Sequence, residues 1–252
     1  MSLLTLARDL RRRKARDRHR LFVVEGIRGV EELLRSPLAI RGALVTDALA
    51  DTPRGAALLV QLDRRQVVTD SVGAPEFGSA AETESPQGVL AVAVAPEGRL
   101  ADLPVAESLR LLVLDAVQDP GNVGTILRTA AALGVTATFS LPGTVDLWNA
   151  KVVRSAMGAH FHHSCLIGTW SELDSFRREH AIAIWAADAG GESIEHLEPP
   201  ARLALVVGNE GAGLSSSSRA RADLLVALPI AAGVESLNVA ITAGILLYEL
   251  RR

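Results

Sequence analysis

Apolar and polar positions along the 252 residues follow two different periods. Short apolar runs at LFVVEG (21–26), GALVT (42–46), QVVTD (66–70) and GVLAVAVA (88–95) alternate with IRGVEELLRS (27–36) and PRGAALLVQL (53–62). In the latter two, apolar residues recur every third or fourth position. Brief apolar runs bounded by turn formers are strands, and three-to-four spacing is the signature of a helix with one buried face. Residues 1–95 therefore read as a small sheet with helices on its faces. The segment APEGRLADLPVAES (95–108) breaks both periods with two prolines, a glycine and mixed charge. It predicts a linker over 96–108.

From residue 109 the runs become more apolar. LRLLVLDAV (109–117) has no polar face, as expected of a parallel strand covered on both sides. VTATFS (135–140), HFHHSCLIG (160–168), AIAIWAAD (181–188), RLALVVGNEG (202–211) and DLLVALPI (223–230) read as further strands. Helical spacing follows the turn at 117–122 and returns at NAKVVRSAMGA (149–159), at SELDSFRREH (171–180, with Ser171 as cap) and at SLNVAITAGILLYELRR (236–252). The block 109–252 is thus expected to be an α/β sheet of about six strands, largely parallel. The chain shows no internal repeat.

Composition adds little until charge is mapped. Hydrophobic residues make up 48% and charged residues 22%, the balance of an ordinary globular protein. No apolar run approaches the roughly 18 to 20 residues of a membrane span, and the first residues lack the apolar core of a secretory signal. With Cys165 as the sole cysteine no internal disulfide can form, so a reducing, cytoplasmic setting is expected. Charge is uneven: RDLRRRKARDRHR (8–20) holds eight Lys/Arg against two Asp, a balance of +6 in a chain of net −3, so the remainder carries −9. Two readings stay open on charge alone, a solvated first helix or a partner rich in phosphate.

Three loops, QDPGNVGTILR, GNEGAGLS and AAGVESLN, each follow an apolar run and precede a helical one. Ligands of open α/β sheets collect at the carboxyl ends of strands. Neither G-x-G-x-x-G nor G-K-[ST] is present, which argues against a dinucleotide-binding oxidoreductase and a P-loop. Any one loop is explained by turn chemistry, with glycine for positive φ and Asn or Ser for caps. As an ordered set they carry more. GNVGTILRTAAALG resembles the first motif of the SpoU (TrmH-type) RNA ribose methyltransferases of the SPOUT superfamily, LVVGNEGAGLS the second and LPIAAGVESLNVAITAGILLYE the third. NAKVVRSAMGAHFH is loosely similar to an intervening family segment. The resemblance covers 109–252. HRLFVVEGIRGVEELL is similar to the small αβα substrate-binding domain that precedes the catalytic domain in many members.

The resemblance implies S-adenosylmethionine as cofactor and a ribose 2′-hydroxyl in structured RNA as methyl acceptor, ribosomal RNA being favoured by the αβα domain. It further implies a deep C-terminal trefoil knot and a homodimer whose active sites draw on both subunits. A transfer RNA substrate, or a catalytically silent RNA-binding or ribosome assembly factor on the same scaffold, are the alternatives. It makes Arg128 the catalytic arginine and puts Asn122 and Glu210 at the active centre, with Ser236 and Asn238 in the stretch that meets cofactor and target nucleotide. Largely main-chain cofactor contacts fall around Ala187, Gly208, Leu228 and Leu237. A guanidinium, with a pKa above about 12, is a poor base. That leaves Arg128 to position ribose and phosphate and stabilise the developing alkoxide, or to accept the proton once RNA perturbs it. Outside the family pattern, Asn122 and Ser236 read as helix caps and Glu210 as a turn residue. Leu228 stands where isoleucine is frequent in the family, and AAGVE lacks a basic residue that some members carry.

Beside such a domain, Arg11, Arg12, Arg13, Lys14 and Arg16, with Lys151 and Arg154, become candidate phosphate contacts. HFHHSC (160–165) gathers three His and one Cys, but strand alternation splits them and no metal-ligand spacing is present, so no metal is expected.

Overall fold

A computed structural model of the chain describes residues 1–231 and 233–251. By its contacts the chain divides into two compact units, Met1–Pro96 with Trp148–His162, and Glu97–Leu147 with His163–Arg252. Residues 148–162, expected in the second block, thus cluster with the first, and residues 97–108, expected as linker, with the second.

In the first unit α1 (Leu3–Asp9) and α2 (Arg13–His19) lead into β1 (Leu21–Glu25), α3 (Ile27–Arg35), β2 (Ile40–Val45), α4 (Pro53–Arg64), β3 (Thr69–Ser71), α5 (Ala74–Ala80) and β4 (Val89–Val94). The sheet order is β1-β4-β2-β3, with β4 antiparallel to both neighbours and β3 parallel to β2. Successive side chains point to opposite faces. Val23, Leu44, Leu90 and Val92 therefore meet Leu6, Leu10 and Phe77 on one side, while Phe22 packs against Trp148 (ring centroids 4.5 Å apart) and Phe161 (5.9 Å). The strand expected at 66–70 starts later. Gln66 adopts a left-handed φ of 54° and the Val67 N–H bonds back to Leu62 O at 3.0 Å, so these residues close α4 instead.

The second unit holds β5 (Leu109–Leu114), α6 (Pro120–Ala132) and β6 (Ala137–Ser140). After α7 (Ala150–Ala156), which belongs to the first unit, come β7 (Ser164–Ile167), α8 (Trp170–His180), β8 (Ala183–Ser193), β9 (Arg202–Val207), α9 (Ser216–Arg221), β10 (Leu224–Ala227) and α10 (Val239–Glu249). Six parallel strands lie in the order β10-β8-β9-β5-β6-β7. Leu111, Val113, Phe139 and Val206 pack with Leu173 and Phe176 on one face. Their neighbours Leu112, Leu114, Leu205 and Val207 are equally buried on the other, which is why these strands read as unbroken apolar runs. From β5 the chain steps outward to β6 and β7, then returns to the far side of β5 for β8 and β9. The loops after β5 and β9 thus flank the point where strand order reverses, the usual ligand position in such sheets.

Two expectations need correction. The run 160–168 is not one strand: Met157 (φ 51°) and Gly158 (φ 83°) turn the chain out of α7, and His160 and Phe161 form a 3-10 turn before β7 begins at Ser164. Helix α8 is capped by Thr169 rather than Ser171. Glu172 sits three residues after Thr169 and accepts its backbone N–H at 2.6 Å, completing a capping box. Among the described residues no helix is long and apolar enough to cross a membrane.

Candidate active site

The site begins where β5 ends. Ala116 takes a left-handed φ of 58°, a conformation that costs a non-glycine residue roughly 1 to 3 kcal/mol, and so turns the chain sharply into α6. Asp119 caps that helix, its carboxylate accepting the Asn122 N–H at 2.8 Å, with Pro120 in the first turn. Asn122 is therefore not the cap, and its side chain is released for other partners. The Asn122 amide donates from Nδ2 to Glu210 Oε1 (3.1 Å), and its Oδ1 accepts from Asn238 Nδ2 (2.9 Å). Asn238, and not Ser236, caps α10: its Oδ1 accepts the N–H groups of Ala240 (2.9 Å) and Ile241 (3.3 Å). Because the cap consumes that oxygen, Nδ2 of Asn238 must face Asn122, and Asn122 in turn must offer its own Nδ2 to the carboxylate. One chain of three side chains thus ties together loops that lie 116 residues apart in sequence.

Glu210 also accepts the backbone N–H groups of Gln118 (3.1 Å) and Asp119 (3.0 Å). Partial desolvation works against its ionisation. The hydrogen bonds from Asn122 and from the backbone of Glu210 itself, Asp119 and Gln118 outweigh it, holding the carboxyl below the usual range. The loop that carries it is built by its neighbours. Asn209 donates to Ala116 O (2.8 Å) and accepts the N–H groups of Gly211 (3.0 Å) and Ala212 (2.9 Å), while its backbone pairs with Gly213. A Cβ on Gly208 would lie 2.5 Å from the Gly213 carbonyl carbon, so only glycine lets this loop close. Buried Asp115 anchors the far end, accepting from Ser215 N (2.7 Å) and Ser218 Oγ (2.5 Å).

A cleft of about 620 Å³ opens at these strand ends, within the range usual for small-molecule sites. Ala187, Gly208, Leu228 and Leu237 line it, as do Asn122, Glu210, Ser236 and Asn238. Arg128 is exposed on α6 and is not among the lining residues. The apolar side chains of two leucines suit a flat heteroaromatic ring. Three carboxylates, Asp188, Glu210 and Glu235, against the single cation Arg219 among the described lining residues suit a ligand with positive charge. The chemistry of these residues fits an adenosyl sulfonium compound. Sequence reasoning missed Asp115, Asp119, Asn209, Asp188 and Arg219. Asp119 had a readable signal, since Asp followed by Pro is a cap and first-turn pair; the others depend on contacts between remote segments.

The candidate phosphate contacts divide. Arg11, Arg12, Arg13, Lys14 and Lys151 are exposed. Arg12 pairs with Asp9, Arg13 with Asp17 at 3.8 Å, and Arg11 donates to Ser79 O at 3.2 Å. Arg16 is a correction: it is only 6% exposed and its guanidinium donates to Leu10 O (2.8 Å) and Arg11 O (2.9 Å), bracing the turn between α1 and α2. Arg154 is partly exposed and lies near the carboxylates of Glu25 and Glu82, each 3.9 Å away. In the His-rich run, His160 packs on Trp148 (4.6 Å) and His163 bonds Thr138 Oγ1 (2.8 Å). Burial pushes the Cys165 thiol up to about 12. Among the described residues no three His, Cys, Asp or Glu side chains gather as a metal set.

Residues 110–248 match the model of the SpoU rRNA Methylase family. The chain belongs to that family. In this SpoU methylase residues 5–91 also match an MRM3-like substrate binding domain. The 23S rRNA (guanosine(2553)-2′-O)-methyltransferase RlmP of Bacillus subtilis is 36% identical over 245 residues, covering 97% of this chain and 94% of that protein. Among solved structures, the SpoU methyltransferase AviRb of Streptomyces viridochromogenes in complex with AdoMet superposes with a TM-score of 0.88. It is 28% identical, covering 100% of this chain and 97% of that one. An AdoMet-bound rRNA methyltransferase from Sinorhizobium meliloti gives a TM-score of 0.86 at 27% identity, covering 100% and 96%.

Proposed function

We propose that this SpoU methylase transfers a methyl group from S-adenosylmethionine to the 2′-hydroxyl of one ribose in 23S ribosomal RNA, acting in the cytoplasm as a homodimer with a trefoil knot in its C-terminal half. The observation that carries the reading is the side-chain chain Glu210–Asn122–Asn238 beside the 620 Å³ cleft, which joins the three motif loops into one site. When bound, the cofactor supplies an electrophilic methyl group on a sulfonium. Leu228 and Leu237 would hold its adenine, with main-chain groups around Ala187 and Gly208 supplying further contacts. Ionised Glu210 fixes the Asn122 amide, and Ser236 with Asn238 faces the target nucleotide.

Arg128 positions ribose and phosphate with its planar fork and stabilises the alkoxide as it forms. It serves the cleft of the other protomer. This reading is supported by its place outside its own chain's cleft and by the apolar stripe Ile241, Ile245 and Tyr248, which are 54%, 41% and 48% exposed on α10, packed against α6. Exposed Arg11, Arg12, Arg13, Lys14 and Lys151 contact RNA phosphates. The deciding experiment incubates the purified protein and S-adenosylmethionine with unmodified ribosomal and transfer RNA, then maps ribose methylation nucleotide by nucleotide. One new 2′-O-methyl group in 23S RNA is expected. A site in transfer RNA alone replaces the substrate, and no new site in either RNA overturns the assignment.

A further inference from the structure

Asp188 and Arg219 form an ion pair on the wall of the cleft, and nothing in the fold calls for it. Helix α9, which carries Arg219, is already secured without it. Ser215 Oγ caps its first turn (3.1 Å from Ser218 N), Asp115 holds Ser218, and Arg221 at its end bonds Asp174 at 2.8 Å. Arg219 remains 46% exposed at the side chain, and ion pairs at that level of exposure add about 0 to 1 kcal/mol to stability. Asp188 is held by a distinctive piece of backbone. Strand β8 pairs with β10 up to Ala186, leaves it, and resumes at Glu192. Within that excursion the Gly190 N–H donates to Asp188 Oδ1 at 3.0 Å and fixes the carboxylate.

We propose that Asp188 and Arg219 together read the amino-acid end of the cofactor, the guanidinium fork receiving its carboxylate and Asp188 its ammonium. The inference rests on the cofactor reading above and extends it to residues outside the three motif loops' functional side chains. Charge supports the division of labour. The ligand carries two cations, sulfonium and ammonium, and one carboxylate. Among the described lining residues Arg219 is the only cation able to meet that carboxylate. Glu210 is occupied by Asn122, Gln118 and Asp119, and Glu235 lies exposed on the loop before α10. Asp188 is thus the fixed carboxylate left for the ammonium. A guanidinium matches a carboxylate in two parallel hydrogen bonds, which a lone ammonium cannot do.

The test compares two ligands by calorimetry. S-Adenosylhomocysteine and 5′-methylthioadenosine share adenosine and a neutral thioether and differ only in the amino-acid end. The wild-type protein should bind the first more tightly. Arg219→Gln should weaken S-adenosylhomocysteine about tenfold or more while leaving 5′-methylthioadenosine within about twofold. Asp188→Asn, which keeps the acceptor for Gly190, should show the same selective loss and gives a second reading should the first variant fail to fold. Unchanged affinity for S-adenosylhomocysteine in both variants, or equal weakening of both ligands, overturns the inference but not the cofactor reading. Wild-type protein that binds neither ligand overturns both.

Discussion

Asn122 occupies the middle of a sequence of contacts in which each amide orientation dictates the next. The cap on α10 orients Asn238, Asn238 orients Asn122, and Asn122 meets a carboxylate already held by two backbone N–H groups. The Asn122, Gln118 and Asp119 donors all point at the oxygens of Glu210 and favour its ionised form. Glu210→Gln places an NH₂ group against those donors. Turnover should fall about a hundredfold from lost positioning, measured in single-turnover assays with RNA; near wild-type turnover would remove Glu210 from the site. The sign of its pH effect follows from its lowered pKa. A depressed carboxyl stabilises the fold above the usual carboxylate range, and that contribution disappears as pH falls through the folded value. Since Glu210 is exposed, the effect should be visible in acid melting curves as a small change of slope that the Gln variant lacks.

At the scale of elements, β6 and β7 carry a larger titration. His163 is buried against Thr138, and desolvation lowers its pKa to about 4 from 6.5. Between those values the unfolded chain takes up a proton that the folded chain refuses. Stability therefore drops as pH falls from 6.5 toward 4, by up to about 3 kcal/mol. Thermal unfolding of His163→Gln should be flatter over that window, and equal slopes in both proteins would show that His163 charges within the fold. The same segment shows what was legible in the sequence. Parallel strands such as β5 and β9 were readable because both faces are buried, leaving an unbroken apolar run. His160 to Cys165 was not readable as two pieces, because what divides it is the 3-10 turn ending at Phe161, held by an aromatic cluster assembled from distant residues. The motif loops announced the site's composition. Its wiring was hidden, since Asp119 and Asn238 took the capping roles that adjacent Asn and Ser could equally have filled. Arg16 looked like its basic neighbours, and only the turn between α1 and α2 commits it to carbonyl oxygens.

For the whole molecule, the placement of Arg128 outside its own cleft makes a prediction about pairs of chains. Arg128→Ala and Glu210→Ala should each be inactive alone. Mixed in equal amounts under conditions that exchange protomers, they should recover about a quarter of wild-type activity if the protein is the proposed homodimer, since half the dimers would then be mixed and each mixed dimer would hold one complete site. No recovery despite demonstrated exchange would confine Arg128 to its own subunit. The last helix gives the molecule one more property. Asn238 completes the hydrogen-bonded chain at one end of α10, and at the other Arg110 Nε reaches back to Leu250 O at 3.1 Å while its Nη1 holds Pro200 O and Ala201 O. The two anchors fix α10 at both ends, so the third motif loop joins the other two only where this helix is seated.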